Sequence, residues 1–195
     1  MKKLIENLEL FNRTSKQFEE AALYRGIDQK NADDFELHWK PALNPSGGTP
    51  AEDAHWKWSE KGQFAATSSI YEIFSLECQN MTQGLMFVNL VHYARLDCHK
   101  GLELVYVELI STAPWNRQDH KPIPIYKGAG RILLATAISL SHDLEFKGRI
   151  GLHSLPGAES WYADTCRMSD LGMDLQKKMK YFEYSEAQAA AFLSK

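Results

Sequence analysis

Two apolar stretches of different period lie close together in this chain. Leu102–Ser111 (LELVYVELIS) sets Leu102, Leu104, Tyr106, Glu108 and Ile110 on one side of an extended backbone, and Glu103, Val105, Val107 and Leu109 on the other. Both sides are mostly apolar, which predicts a central strand covered on each face. The stretch RILLATAISLSH instead repeats at helical spacing and predicts a helix from Gly130 to about His142. Between them lie a proline-rich connection and the tripeptide Gly128-Ala129-Gly130. A strand, a glycine turn and a helix N-terminus together make an anion site, because free backbone N–H groups converge and the helix dipole adds to them. Glycine lets a bulky anion such as a pyrophosphate approach the backbone.

The remaining pattern places further elements around this unit. Thr14-Ser15-Lys16-Gln17 has capping-box form, and Phe18, Ala21, Ala22 and Arg25 share a stripe, predicting a helix from about Ser15 to Arg25 that stops at Gly26. A short polar helix or turn is expected near Asp33–Trp39, ended by Pro41, and Pro41–Thr49 reads as a loop. Thr49-Pro50-Ala51-Glu52 offers an N-cap, a first-turn proline and a capping-box glutamate for a helix to about Lys61 that stops at Gly62. Its His55, Trp56 and Trp58 would pack in a core or line an acceptor cleft. Ser69–Cys78 alternates, and a turn near Gln79–Gly84 leads into Leu85–Tyr93, predicting an antiparallel hairpin. Arg149–Leu155 reads as a strand, Gly157–Cys166 as a short helix, Lys178–Tyr184 as a strand, and Ser185–Gln188 as the cap of a C-terminal helix. The expected class is α/β, with a mixed, mostly antiparallel central sheet flanked by helices. One domain is expected over residues 1–195: N-terminal helices at 14–62 on the acceptor side, a sheet with its loop and helix at 69–142, and a strand-helix-strand-helix segment at 149–195.

Composition narrows the chemistry. A net charge of −3 gives no electrostatic footprint for nucleic acid, although a small anion needs only local donors. Cys78, Cys98 and Cys166 are odd in number and lack CxxC spacing, which points to reduced thiols in a cytoplasmic protein and to neither a disulfide framework nor a zinc site. Glu6, Asn7 and Glu9 interrupt any signal-peptide core, and no apolar run is long enough to span a membrane. The seven histidines show no metal-ligand spacing; His120 and His153 alone fall near the supposed site. Cys166 has no base partner that spacing identifies.

Val107–Leu134 (VELISTAPWNRQDHKPIPIYKGAGRILL), within this order of elements, resembles the GNAT superfamily of N-acetyltransferases. TAP resembles the end of that family's fourth strand, and YKGAGRILL its pyrophosphate loop and following helix. The family's loop begins with Gln or Arg where Ile125 stands, and residues 118–125 form an insertion that resembles a trait of a subgroup with the APWN…YKG pattern. A dinucleotide fingerprint would need a third glycine where Leu133 sits, and a P-loop would need Gly-Lys-Ser/Thr where Gly130 precedes Arg131 and Ile132.

The resemblance implies acetyl-CoA as co-substrate, with no metal, and an amine-bearing acceptor. The backbone of Ile110, Ser111 and Thr112 would meet the pantetheine arm, and Lys127, Gly128, Ala129, Gly130 and Arg131 the pyrophosphate, with Lys127 and Arg131 adding charge-assisted contacts. Glu108 would be the base, its pKa raised by burial, with Glu103 a weaker candidate on the other face. Tyr162 would be the acid toward the departing thiolate, although the family's Gly-Phe after that tyrosine is absent from ADTCRMSDLGMD. Family members are often dimers, so a homodimer is among the expectations. The rival readings are a non-catalytic acyl-CoA-binding or interaction domain on the same fold, and a toxin-like enzyme acting on charged tRNA, which would want a more basic surface.

Overall fold

The computed structural model describes residues 2–118 and 123–194. Its elements run β1 (Lys3–Asn12), β2 (Gln17–Arg25), α1 (Gln29–Asp34), α2 (Lys40–Leu43), α3 (Trp58–Thr67), β3 (Tyr71–Cys78), β4 (Met81–Tyr93), β5 (Glu103–Thr112), β6 (Tyr126–Lys127), α4 (Ala129–Asp143), β7 (Ile150–Ser154), β8 (Ser169–Asp174), β9 (Met179–Tyr184) and α5 (Glu186–Leu193). The strand order is β6-β1-β2-β3-β4-β5-β7-β9-β8. β5 pairs with β7 in parallel, whereas β1–β2, β1–β6, β2–β3, β7–β9 and β8–β9 are antiparallel. This is the mixed, mostly antiparallel sheet flanked by helices that the alternation predicts.

By contact density the chain divides into two compact units: Met1–Phe87 with Leu109–Leu133, and Val88–Glu108 with Leu134–Lys195. The first unit buries Phe35, Trp39, Leu43, Ala54, Trp58, Ile73, Leu85, Phe87 and Ala113 in one core. Each large side chain removed from water contributes about 1.5–3 kcal/mol. Phe35 meets Trp39 and Trp58 at ring distances of 5.6 and 6.3 Å. In the second unit, Ala94, Leu104, Tyr106 and Tyr181 form a buried cluster. Arg149 there reaches the Glu103 carbonyl with Nε (2.9 Å) and the Glu186 carboxylate with Nη1 (2.7 Å).

Several expected elements take another form. The helix predicted for Ser15–Arg25 is β2, and Arg13–Lys16 is a hairpin turn. The Asn12 side chain accepts from the N–H groups of Thr14 (2.8 Å) and Ser15 (3.1 Å), and Lys16 adopts φ +60°. Ala21 and Leu23 are buried while Phe18 and Glu20 are exposed, so a period of two describes the segment and pairing with β1 overrides helical spacing. The helix predicted from Thr49 to Lys61 starts only at Trp58 and continues to Thr67, with Gly62 inside it. Residues before Trp58 fold instead around the buried Asp53, whose carboxylate bonds Ser111 and Arg117.

Pro41 does not end a helix. Residues 29–43 form a helical run that begins with the Asp28–Asn31 capping box. A π-turn at Phe35–Trp39 carries that run into α2, with Pro41 in the first turn of α2. The short helix expected at Gly157–Cys166 is present, opening with a 3₁₀ turn at Pro156–Ala158 and widening into a π-turn at Trp161–Thr165. The turn between β3 and β4 is tighter than expected. Gln79 and Asn80 both take positive φ, the conformation of a two-residue hairpin connection.

Candidate functional site

In the first unit, the end of β5 is held by a buried ion pair. Asp53 accepts from Ser111 Oγ on Oδ2 at 2.8 Å and from Arg117 Nη1 on Oδ1 at 3.0 Å, with Arg117 Nη2 also on Oδ2. Arg117 also donates Nε to the Thr112 carbonyl at 2.7 Å and Nη2 to Ser111 Oγ at 2.7 Å. Burial works most strongly against the Asp53 charge, but the hydrogen bond and charge of Arg117, with the Ser111 hydroxyl, hold its carboxyl below the usual range. Ser111 therefore spends its side chain inward.

A second set of bonds closes the loop after β5. Gln83 Oε1 accepts from Trp115 Nε1 (2.8 Å) and Asn116 Nδ2 (2.9 Å), and its carbonyl accepts from the Ala113 N–H (3.0 Å). Asn116 Oδ1 in turn accepts from the Tyr126 N–H at 2.9 Å, and the Trp115 carbonyl from the Ile125 N–H at 2.8 Å. The side chains of Trp115 and Asn116 thus pin both ends of the insertion, which gives the APWN…YKG spacing a physical content. Tyr126 anchors the far end: its hydroxyl donates to Glu19 at 2.6 Å, with a pKa pushed upward by burial and then by that carboxylate. Residues 119–122, including His120, lie outside the described residues.

The clamp delivers the chain to the glycine turn. Tyr126 and Lys127 pair with Asn12 and Phe11 of β1, and Gly128 follows with φ +100°, a region that disfavours residues with a Cβ. Its first α4 bond runs from Ile132 N–H to the Gly128 carbonyl at 2.9 Å, so the N–H groups of Ala129 and Gly130 precede the intrahelical ladder. A Cβ at Gly128 would meet nothing within 4 Å. Conformation, with open space around it, is what this glycine supplies. Lys127 is exposed, and Arg131 is half-buried.

Every residue expected to hold the cofactor belongs to the first unit: Ile110, Ser111, Thr112, Lys127, Gly128, Ala129, Gly130 and Arg131. Glu108 and Tyr162 belong to the second. Glu108 is half-buried and accepts from Asn89 Nδ2 at 3.3 Å. Tyr162 lies on the π-turn, buried, with its ring 4.9 Å from Trp161 and 5.8 Å from Phe182. Burial pushes its phenol upward, so it stays protonated at neutral pH. Glu103 is exposed at the start of β5.

The second unit also holds a polar chain that spacing did not reveal. The Tyr106 hydroxyl lies 2.6 Å from His153 Nδ1, and His153 Nε2 lies 3.0 Å from Asp174 Oδ2. Asp174 also accepts from Arg95 at 2.8 Å, and Arg95 lies 4.2 Å from the Tyr181 ring centre. Among the described residues, no group of three or more His, Cys, Asp or Glu could hold a metal ion, and no helix is long and apolar enough to cross a membrane. The three cysteines are unbridged, with Cys78 and Cys166 buried and Cys98 exposed.

No protein-family model matches this chain, and no curated protein matches it in sequence. Solved structures do. A GNAT-family protein from Desulfovibrio desulfuricans superposes with a TM-score of 0.54 at 13% identity, over 85% of this chain and 99% of its own. Spermidine N-acetyltransferase from Vibrio cholerae, in complex with CoA and spermine, gives 0.52 at 17% over 87% and 98%. A mutant AtaT toxin bound to acetyl-CoA and the C-terminus of the antitoxin AtaR gives 0.53 at 12% over 90% and 99%. At these identities the likeness is one of fold. The strand order, the glycine turn after β5 and the superposed structures agree: this chain has the GNAT fold.

Proposed function

We propose that this chain is an N-acetyltransferase that moves an acetyl group from acetyl-CoA to a primary amine by direct attack in a ternary complex. The observation that carries the reading is the β5–Gly128–α4 unit. A strand end braced by Arg117 leads through a clamped loop to a glycine at φ +100° and a 15-residue helix whose first N–H groups precede the intrahelical ladder. The residues fit a CoA pyrophosphate. Open space surrounds Gly128, the helix N-terminus favours negative charge, and Lys127 and Arg131 flank the turn. The backbone of Ile110 to Thr112 is offered to the pantetheine arm.

The chemistry asks for two proton transfers. The acceptor ammonium loses a proton before its nitrogen attacks the thioester carbonyl, and Glu108 is the group on β5 that takes it. The C–S bond then breaks, and a protonated Tyr162 supplies the proton to the departing thiolate. Burial, which keeps that phenol protonated, supports the assignment. The same burial between Trp161 and Phe182 favours a second reading, a domain on this fold that binds acyl-CoA without turnover.

The deciding experiment is calorimetric titration with acetyl-CoA, coenzyme A and NADH, followed by an amine screen for CoA release. Micromolar binding of the two coenzyme A ligands alone, with turnover of an amine, supports the enzyme. Binding without turnover of any amine supports the second reading, and no binding overturns both.

A further inference from the structure

Tyr106 and Glu108 stand on the same side of β5, and the groups around them form an ordered sequence. The His92 ring stacks on Tyr106 with centroids 4.3 Å apart and planes inclined by 25°. Tyr106 is buried and His153 nearly so, its side chain 3% exposed. The direction of each hydrogen bond follows from the inventory of donors. Asp174 is a carboxylate held well below its usual range by Arg95, then His153, so it can only accept. His153 Nε2 must therefore carry a hydrogen. Burial is the largest influence on His153 and keeps it neutral, so Nδ1 holds a lone pair and the Tyr106 O–H donates to it. Asp174 sets the tautomer, the tautomer fixes the phenol, and the phenol ring fixes the plane on which His92 lies.

His92 itself is half-buried. The charged and titratable groups whose fields reach it are Glu108 on β5, His153 on β7, Arg95 in the turn after β4, and Lys177 in the β8–β9 hairpin. Burial lowers its pKa most; Glu108 opposes this, and Lys177, Arg95 and His153 reinforce it. Glu108 stands two residues along the same side of β5 from the ring on which His92 stacks, so a neutral His92 is set to take up a proton and hand one on toward that carboxylate.

We propose, resting on the acetyltransferase reading, that His92 carries the amine's proton to Glu108 and that the Tyr106–His153–Asp174 chain positions it. In that step an N–H bond of the substrate ammonium breaks and an N–H bond to His92 forms. The amine keeps its lone pair, and the imidazolium passes a proton from its other ring nitrogen to Glu108. Tyr106, His153 and Asp174 are positioning residues; none of them takes up the substrate proton.

Two arms test this separately from the acetyltransferase reading. In the free protein, long-range ¹H–¹⁵N spectra should show His153 as the Nε2–H tautomer at neutral pH. Asp174→Asn should remove that preference and displace the His92 ring resonances, and Glu108→Gln should shift the His92 titration downward. A Nδ1–H tautomer of His153, or a His92 indifferent to both variants, overturns the arrangement. In turnover assays with acetyl-CoA and the amine that gives the fastest CoA release, His92→Gln should lower kcat by about tenfold or more. KM for acetyl-CoA should stay unchanged and the acid limb of the pH profile should move. Asp174→Asn should act in the same direction less strongly. Unaltered kcat and pH profile in His92→Gln overturn its role. A wild-type chain that turns over no amine removes the acetyltransferase reading and that role with it, while the spectra still decide the positioning.

Discussion

Replacing Arg117 with alanine takes the partner from a carboxylate that cannot reach water. The Asp53 side chain is 4% exposed and the Arg117 side chain 17%, so solvent screening offers little relief. Breaking one side of such a buried pair costs about 3–5 kcal/mol, because the remaining charge stays desolvated. For a chain of this size each kcal/mol lowers Tm by about 2–4 °C, so a fall of roughly 6–20 °C is expected. The pH dependence gives the sharper check. In the native protein Asp53 sits below the ordinary aspartate value of 3.8, so its contribution is present above that pH and is lost as pH falls through the depressed folded value. Without Arg117, burial remains as the leading influence and pushes the carboxyl up. The variant is then penalised most at neutral pH, and its deficit relative to wild type should close as the pH drops below 3.8. Denaturant titrations from pH 7 to pH 3 read this directly. The double variant Asp53→Asn with Arg117→Ala should be less destabilised than Arg117→Ala alone, since no charge is stranded. A loss under about 1 kcal/mol, or a deficit independent of pH, would refute the reasoning.

Four other outcomes can be measured alongside. Gly128→Ala meets no atom within 4 Å, so it should cost only about 1–2 kcal/mol of backbone strain from its positive φ while weakening acetyl-CoA binding by calorimetry; unchanged affinity removes the anion-site assignment. Glu108→Gln should lower kcat by about a hundredfold with the dissociation constant of acetyl-CoA unchanged, and unaltered turnover removes it as the base. Tyr162→Phe keeps the ring contacts with Trp161 and Phe182, so the melting temperature should hold while kcat falls by about a hundredfold; full activity would make Tyr162 a packing residue. Gly151→Ala drives a Cβ into the buried Tyr181 hydroxyl, which is bonded to Glu183, and should cost about 1–3 kcal/mol in a denaturant melt; a neutral result would show that Tyr181 yields.

The elements legible in the sequence are those whose pattern and environment agree. Leu102–Ser111 is apolar on both sides and forms β5, between β4 and β7. The helix from Gly130 to His142 is α4, and the capping box at Ser185–Gln188 holds in the structure on both of its bonds. Where local and long-range signals conflict, the long-range one wins. Thr14-Ser15-Lys16-Gln17 reads as a helix start, but a hairpin turn uses short polar residues for the same reason a cap does, to satisfy backbone N–H groups. What tips the balance is β1, whose Lys3–Asn12 lies opposite Arg25–Gln17 along the full length of β2. The edge strand β8 was hidden differently. Its residues are exposed or half-buried, Gly172 takes φ +83°, and its register shifts between Asp170 and Met173, so no alternation survives to be read.

The candidate site divides along the same line. The glycine turn is a local device, and its residues announce themselves: two glycines after a strand and before an apolar helix. The groups that brace it do not. Asp53 and Arg117 stand 64 positions apart, and Gln83 stands 33 from Asn116. Each is an ordinary polar residue until the fold buries it. The same holds for Tyr106, His153 and Asp174, drawn from β5, β7 and β8, which become one directed chain only through the parallel pairing of β5 with β7 and the antiparallel pairing of β9 with β7 and β8. Among the seven histidines, none has a neighbour at ligand spacing, and the distinction of His92 and His153 arises wholly from what the sheet sets beside them. Spacing along a chain can reveal a glycine turn set before a helix. A hydrogen-bonded chain assembled across strands needs the register, and the register here sets a carboxylate, an imidazole and a phenol in one line, with a second imidazole stacked on the phenol.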